Sequence, residues 1–322
     1  MSRLNNHSWF NALCRRSLVT QYRREFWEAR GSFLKTPLWI AVVVAALLIM
    51  AIASSGLELN RALDQLRATP EELQQLEGGA DLMRALVRGD LFGSHPKLLR
   101  TALLGIGVPF VLVLLLVSQT YLLSCLNQDR RDRSILFWKS LPVSETSVVL
   151  TKLGFGVLVG PAVFIAASLV VGLLHLLMLV GYVSWQLGVD LPNLGVLLVT
   201  FLGHGAGLVS GWLLFSLWFL PLSAWLLLAS AWSRKSPFLM AALLPLCLVV
   251  VELWLLHSGH FWGAISRAGH RAMDVLVRSQ IQPDQWVTLW ADTLTDPALW
   301  LGLLVSGILT GLAVWRRNNH YE

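Results

Sequence analysis

The chain has 322 residues, 55% of them hydrophobic and 14% charged, with a net charge of +6 and a mean hydropathy of +0.62. A soluble globular chain is about 45–50% apolar and about 25% charged, so this one lacks the polar surface to coat a water-soluble particle. The same figures exclude a disordered chain, a coiled coil, a collagen and a disulfide-stapled secreted domain. An all-α polytopic membrane protein remains, and 15 Trp residues suit it, because indole settles at the bilayer interface.

The Arg-rich first 36 residues do not read as a secretory signal. Within them, Tyr22, Phe26, Ala29 and Phe33 recur at helical spacing, while Arg15, Arg16, Arg23, Arg24 and Arg30 supply a basic side. This predicts an amphipathic helix on the membrane surface before the first span, or else a basic tail that only sets topology.

A helix needs about 20 apolar residues to cross the hydrocarbon core. Six runs qualify, at about 37–55, 98–125, 153–183, 194–232, 238–256 and 297–315. The fourth is too long for one upright span and is expected to tilt, to bend at Pro221 or to include an interfacial stretch. Segments 1–36, 126–152, 233–237 and 316–322 hold 16 Lys and Arg, against 9 in 56–100, 181–194 and 257–296. The positive-inside rule therefore predicts both termini and the 126–152 loop in the cytoplasm. The two larger outer segments, 57–97 and 257–296, are expected to be helical.

Conventional catalytic signatures are missing. There is no Gly-Lys dipeptide and hence no P-loop, no His-Glu-x-x-His and no Cys-x-x-Cys. Cys14, Cys125 and Cys247 are too scattered for a disulfide framework or a metal knuckle. Ser210 and His204 lie six residues apart on one helix and face different ways, which argues against a nucleophile and its base. His175, His204 and His257 leave a haem protein or other membrane enzyme as a competing class. Gly203, Gly207 and Gly211, like Gly156/Gly160 and Gly307/Gly311, recur every four residues, a spacing that serves packing inside the bundle or a dimer seam.

Glu252 is the only acidic residue inside an apolar run. It is expected to be a protonated, hydrogen-bonded carboxyl, a partner of Arg100, or part of a transport path.

The 126–152 loop carries the densest pattern. The charged cluster Asp129, Arg130, Arg131, Asp132 and Arg133 leads into an apolar-aromatic strip, Ile135 to Trp138, that includes Phe137. Leu141-Pro142-Val143 breaks the helix and Ser144-Glu145-Thr146 caps the next one. Charge beside aromatic surface suits docking to a soluble protein, and it equally suits an ordinary interfacial linker.

The stretch Asp129 to Ser144, with Ser140-Leu141-Pro142-Val143-Ser144 at its end and Lys152 just before the third span, resembles the hallmark loop of bacterial ABC transporter permeases of the type 2 exporter family. The resemblance implies a cytoplasmic coupling helix seated in a cytosolic ABC ATPase, with Asp129, Arg130, Arg131, Asp132, Arg133, Phe137, Trp138, Leu141 and Pro142 at the contact. It makes the N-terminal amphipathic helix the elbow helix of that family. It implies an inner-membrane permease that is not itself an enzyme, with a second copy of the permease, lipid around it, no cofactor of its own, ATP and Mg on the partner, and no nucleic acid. The specific motif covers about 25 residues, while the topology covers the chain. A non-transporting scaffold is the alternative, since the large outer segments could dock a periplasmic protein.

Overall fold

The computed structural model describes residues 18–51, 96–132, 144–187, 194–233, 235–281 and 285–319. Among them there is no strand, and six helices are long and apolar enough to cross a membrane. The protein is an all-α polytopic membrane protein. Helix α1 covers 18–28 and, after a bend at Ala29, leads into α2, Gly31–Ala51, whose first turn Gly31–Lys35 is a π-helix. Next come α3, Pro96–Arg131, and α4, which runs unbroken from Glu145–Gly154 through the π turn Phe155–Val159 to Gly160–Leu187. Then follow α5, Leu194–Trp232, and α6, Pro237–Val251, closed by the π turn Glu252–Leu256. Helices α7, His260–Ile281, α8, Trp286–Thr295, and α9, Pro297–Asn319, complete the chain.

Six spans were expected and six are found, with shifted ends. Helix α3 runs past the expected stop at Cys125 to Arg131, so Asp129 and Arg130 are helical. Helix α4 starts at Glu145 rather than Leu153, because Ser144 caps it: its hydroxyl accepts from the Ser147 N–H at 3.2 Å. Helix α5 runs unbroken through 39 residues with Pro221 inside it, a contour of about 58 Å at 1.5 Å per residue, well beyond the hydrocarbon thickness. The expected helices in 257–296 are α7 and α8. The expected outer helices of 57–97 and the loop residues Arg133, Phe137, Trp138, Leu141 and Pro142 lie outside the described residues.

The chain divides into two compact units. One comprises Thr36–Leu112 and Ile165–Leu208. Its buried residues include Leu103, Ile106, Phe110, Val171 and Leu176, with Ser168, His175, Thr200 and His204 as polar members.

The other unit comprises Met1–Lys35, Val113–Phe164 and Val209–Glu322. Its centre is an apolar cluster of Leu122, Leu126, Val149, Leu227, Ala231 and Ala313. Beside it Phe33 is fully buried, with Tyr121, Phe155 and Phe164 packed edge-on at 5.4, 5.2 and 6.2 Å between ring centres. Such edge-to-face contacts set the positive ring edge on the negative face. Phe33 and Phe155 both sit in π turns, whose extra residue rotates them off the regular helical stripe and towards each other. Gly160 makes room: a methyl there would collide with the Phe33 ring. The Gly156/Gly160 pair therefore serves packing within the chain, Gly156 against Leu122. Among the described residues nothing lies within 4 Å of a methyl placed at Gly307 or Gly311, so nothing described fills the space beside that pair.

Candidate functional site

The polar organisation of the second unit concentrates at the end of the bundle where α3 stops and α4 starts. Lys152 is the most deeply buried lysine among the described residues, with a side chain 3% exposed. Its Nζ lies 2.8 Å from Glu25 Oε1 and 3.2 Å from Asp129 Oδ1. Asp129 Oδ2 accepts from Arg317 Nη1 at 3.1 Å, and Arg317 Nε lies 2.5 Å from Glu145 Oε2 in a charge contact without hydrogen-bond alignment. The Tyr121 hydroxyl donates to Glu25 Oε2 at 2.7 Å. Five charges, three negative and two positive, thus form one chain through α1, α3, α4 and α9.

Isolated charges cannot stay ionised in such a place, because burial penalises the charged form; mutual pairing is what keeps them there. The cluster also explains why α1 packs as it does. Of the expected stripe, Tyr22, Phe26 and Ala29 are half-buried and Phe33, in α2, is buried. Gln21 and Glu25 are the buried positions. Gln21 Oε1 accepts from the hydroxyls of Ser147 at 3.2 Å and Thr151 at 3.1 Å, so a polar stripe docks α1 onto the first turns of α4.

A second latch holds the end of α3 against the end of α5. The last carbonyls of a helix have no partner within it and carry the negative end of its dipole. Here the Asn127 side-chain amide donates to the Ser233 carbonyl at 2.6 Å and the Arg130 guanidinium donates to the Ala231 carbonyl. Ser230 Oγ accepts from the backbone N–H groups of Leu126 and Asn127 at 3.1 and 3.0 Å. Arg316 stacks over the Trp232 ring at 5.1 Å.

These contacts revise the expected coupling residues. Asp129 is buried and both its oxygens are engaged inside the chain, so it presents no surface to a soluble partner. Arg130 is half-buried and spent on α5. Arg131 and Asp132 are exposed. Glu25, Glu145, Lys152, Arg317 and Tyr121 were not singled out by sequence as site residues. The available signals were an acidic residue in an otherwise basic helix and a lysine at the edge of an apolar run.

Glu252 is hydrogen-bonded to the start of the neighbouring helix, as one of the expectations had it. It ends α6 and accepts from the Ser258 hydroxyl at 3.0 Å, the His260 N–H at 2.7 Å and the Phe261 N–H at 3.0 Å. It thereby caps the N-terminus of α7, where first-turn N–H groups have no partner within the helix. Every one of these partners donates to it, which is the pattern of an accepting carboxylate rather than a donating carboxyl. Arg100 lies in the first turns of α3, and its side chain is outside the described residues. His257, at φ 47°, forms the left-handed turn between α6 and α7 and is exposed. His175 and His204 are buried, His175 Nδ1 having no hydrogen-bond partner among the described residues. Among the described residues no group of three or more His, Cys, Asp or Glu is arranged to hold a metal ion.

No protein-family model, curated protein or solved structure matches this chain.

Proposed function

We propose that the chain is the membrane-spanning permease subunit of an ABC exporter of a bacterial inner membrane, driven by a separate cytosolic ATPase and acting as two copies. The observation that carries this reading is the buried ion-pair cluster. Asp129 precedes segment 133–143 and Glu145 follows it, and both are tied through Lys152 and Arg317 to α1 and to the end of α9. A displacement applied to that segment is then carried as rigid-body motion into α1, α3, α4 and α9 together, because paired buried charges resist separation. A simple linker has no need of such an anchorage. Exposed Arg131 and Asp132, next to that segment, are left to meet the ATPase. The sequence carries no P-loop, and on this reading ATP and Mg belong to the partner.

The second copy is supported by α6. None of its residues is buried, and Phe238, Leu239, Leu243 and Leu246 are all more than half exposed. An apolar helix with so little packing in its own chain meets lipid on one side and has a face to spare for a neighbour.

The test asks whether a reading frame adjoining that of this chain encodes an ABC ATPase, and co-expresses the two. The wild-type pair is expected to co-purify and to show ATPase activity that responds to transported compounds. Arg131→Ala with Asp132→Ala, both exposed, is expected to lower co-purification at unchanged expression. Truncating interfacial charges that become desolvated in a complex costs about 2–5 kcal/mol. Undiminished ATP-driven transport by the double variant removes the loop from the coupling role, and failure to associate with an ATPase removes the reading itself.

A further inference from the structure

Beside the ion-pair cluster, a cavity of about 460 Å³ opens between α1 and the last turns of α3. Its walls carry four acidic side chains, Glu25, Glu28, Asp129 and Asp132, against two basic ones, Arg24 and Lys152. Adding Arg317 and Glu145 from behind the wall leaves the excess unchanged at two negative charges. Both basic groups are already committed, Lys152 to Glu25 and Asp129, and Arg24 to Glu28 at 2.6 Å.

The hydroxyls facing the cavity sharpen the chemistry. Thr120 Oγ1 donates back to the Leu116 carbonyl at 2.8 Å and Ser124 Oγ to the Thr120 carbonyl at 2.9 Å, so their hydrogens are used within α3. The Tyr121 hydroxyl hydrogen goes to Glu25. These three hydroxyls therefore offer lone pairs to the cavity, beside carboxylates that also only accept, while Ser32 and the Gln128 amide complete its polar lining. An acceptor-rich cavity with surplus negative charge fits a ligand that is cationic and rich in N–H donors. Partial burial and the neighbouring Glu25 raise the Glu28 pKa, as expected where counter-charge is short.

The position of the cavity selects the source. Leu116, one turn inward from Thr120, and Leu34, two residues after Ser32, are exposed apolar side chains of the membrane spans that flank it. Trp27 on α1 is exposed as well. The cavity thus lies at headgroup level, with apolar surface leading from it into the bilayer.

We propose that this cavity binds the primary ammonium of an aminophospholipid headgroup from the adjacent leaflet. The ammonium sits against Glu28 and Asp132 with Thr120 and Ser124 as further acceptors, and the acyl chains run along Leu116 and Leu34. The inference requires the membrane placement and not the permease reading, and Asp132, which that reading sets against the ATPase, is the residue the two share.

The experiment uses the full-length chain purified in a mild detergent and titrated with dihexanoyl phosphatidylethanolamine, phosphatidylcholine and phosphatidylglycerol, with binding read by native mass spectrometry. The ethanolamine lipid is expected to bind at least about tenfold more tightly than the other two, because choline has no N–H and glycerol no positive charge. Glu28→Gln with Asp132→Asn is expected to abolish that preference at an unchanged melting temperature, since both side chains lie at the exposed rim. Ser124→Phe, which fills the cavity and leaves every charge in place, is expected to do the same. Equal binding of the three lipids, or a preference that survives both variants, overturns the proposal. Free spermidine or ethanolamine binding as tightly as the ethanolamine lipid overturns the lipid source and leaves a soluble-amine site.

Discussion

Replacing Lys152 with Met tests whether the ion-pair cluster holds this end of the bundle together. Met keeps the length and apolar stem of Lys and removes only the ammonium. At an effective dielectric of about 20, the ammonium attracts Glu25 at 2.8 Å by about 6 kcal/mol and Asp129 at 3.2 Å by about 5 kcal/mol. Desolvation of the three groups offsets much of this, so the net effect is far smaller than the Coulomb terms. Removing one member of a buried pair still costs about 3–5 kcal/mol, because Glu25 is left beside Asp129 with the Tyr121 hydroxyl as its remaining partner while Arg317 still balances Asp129. Lys152→Met is therefore expected to lose about that much unfolding free energy in a reversible detergent titration. Glu25→Gln in the same chain removes one of the stranded carboxylates, and the amide oxygen that takes its place can still accept from the Tyr121 hydroxyl. The double variant is expected to recover at least half of the loss, a coupling that a cycle of single and double variants measures directly. A loss below about 1 kcal/mol for Lys152→Met, against the roughly 3–5 kcal/mol expected, or no recovery in the double variant, refutes the reasoning.

Three further outcomes are expected. Glu252→Ala leaves the first N–H groups of α7 uncapped, so hydrogen exchange at His260 and Phe261 should speed up while the middle of α7 stays protected; unchanged exchange removes the capping role. Glu28 has a raised pKa, so its contribution to stability is present below about pH 4.5 and is lost as pH rises through the folded value. Glu28→Gln should flatten that part of the pH profile and leave stability at neutral pH unchanged or higher, and a clear destabilisation at neutral pH argues against the sign. Cys247 is exposed on α6 while Cys125 is buried, so copper-phenanthroline oxidation of membranes should yield a dimer that disappears in Cys247→Ser. A dimer that persists in that variant places the contact elsewhere.

The number of spans, the all-α class and the helical character of 257–296 were legible in the sequence. They rest on local quantities: run length against bilayer thickness, and apolar periodicity within one helix. The cap at Ser144 was legible for the same reason, since it joins residues close in the chain. The site was only partly legible. Asp129 and Arg130 stood out as part of a dense charged loop, yet whether such a group faces water or another helix depends on partners far along the chain. Glu25, Lys152 and Arg317 lie far apart in sequence, and nothing in their own surroundings announces that they meet. Glu252 was conspicuous as a charge in an apolar run, and its role came from a turn at His257 that brings α7 back onto it. Hydrophobicity and periodicity decide which segments enter the membrane. Which buried charge answers which is decided only when the helices pack, because a charge in low dielectric is stable only beside a partner that tertiary structure supplies.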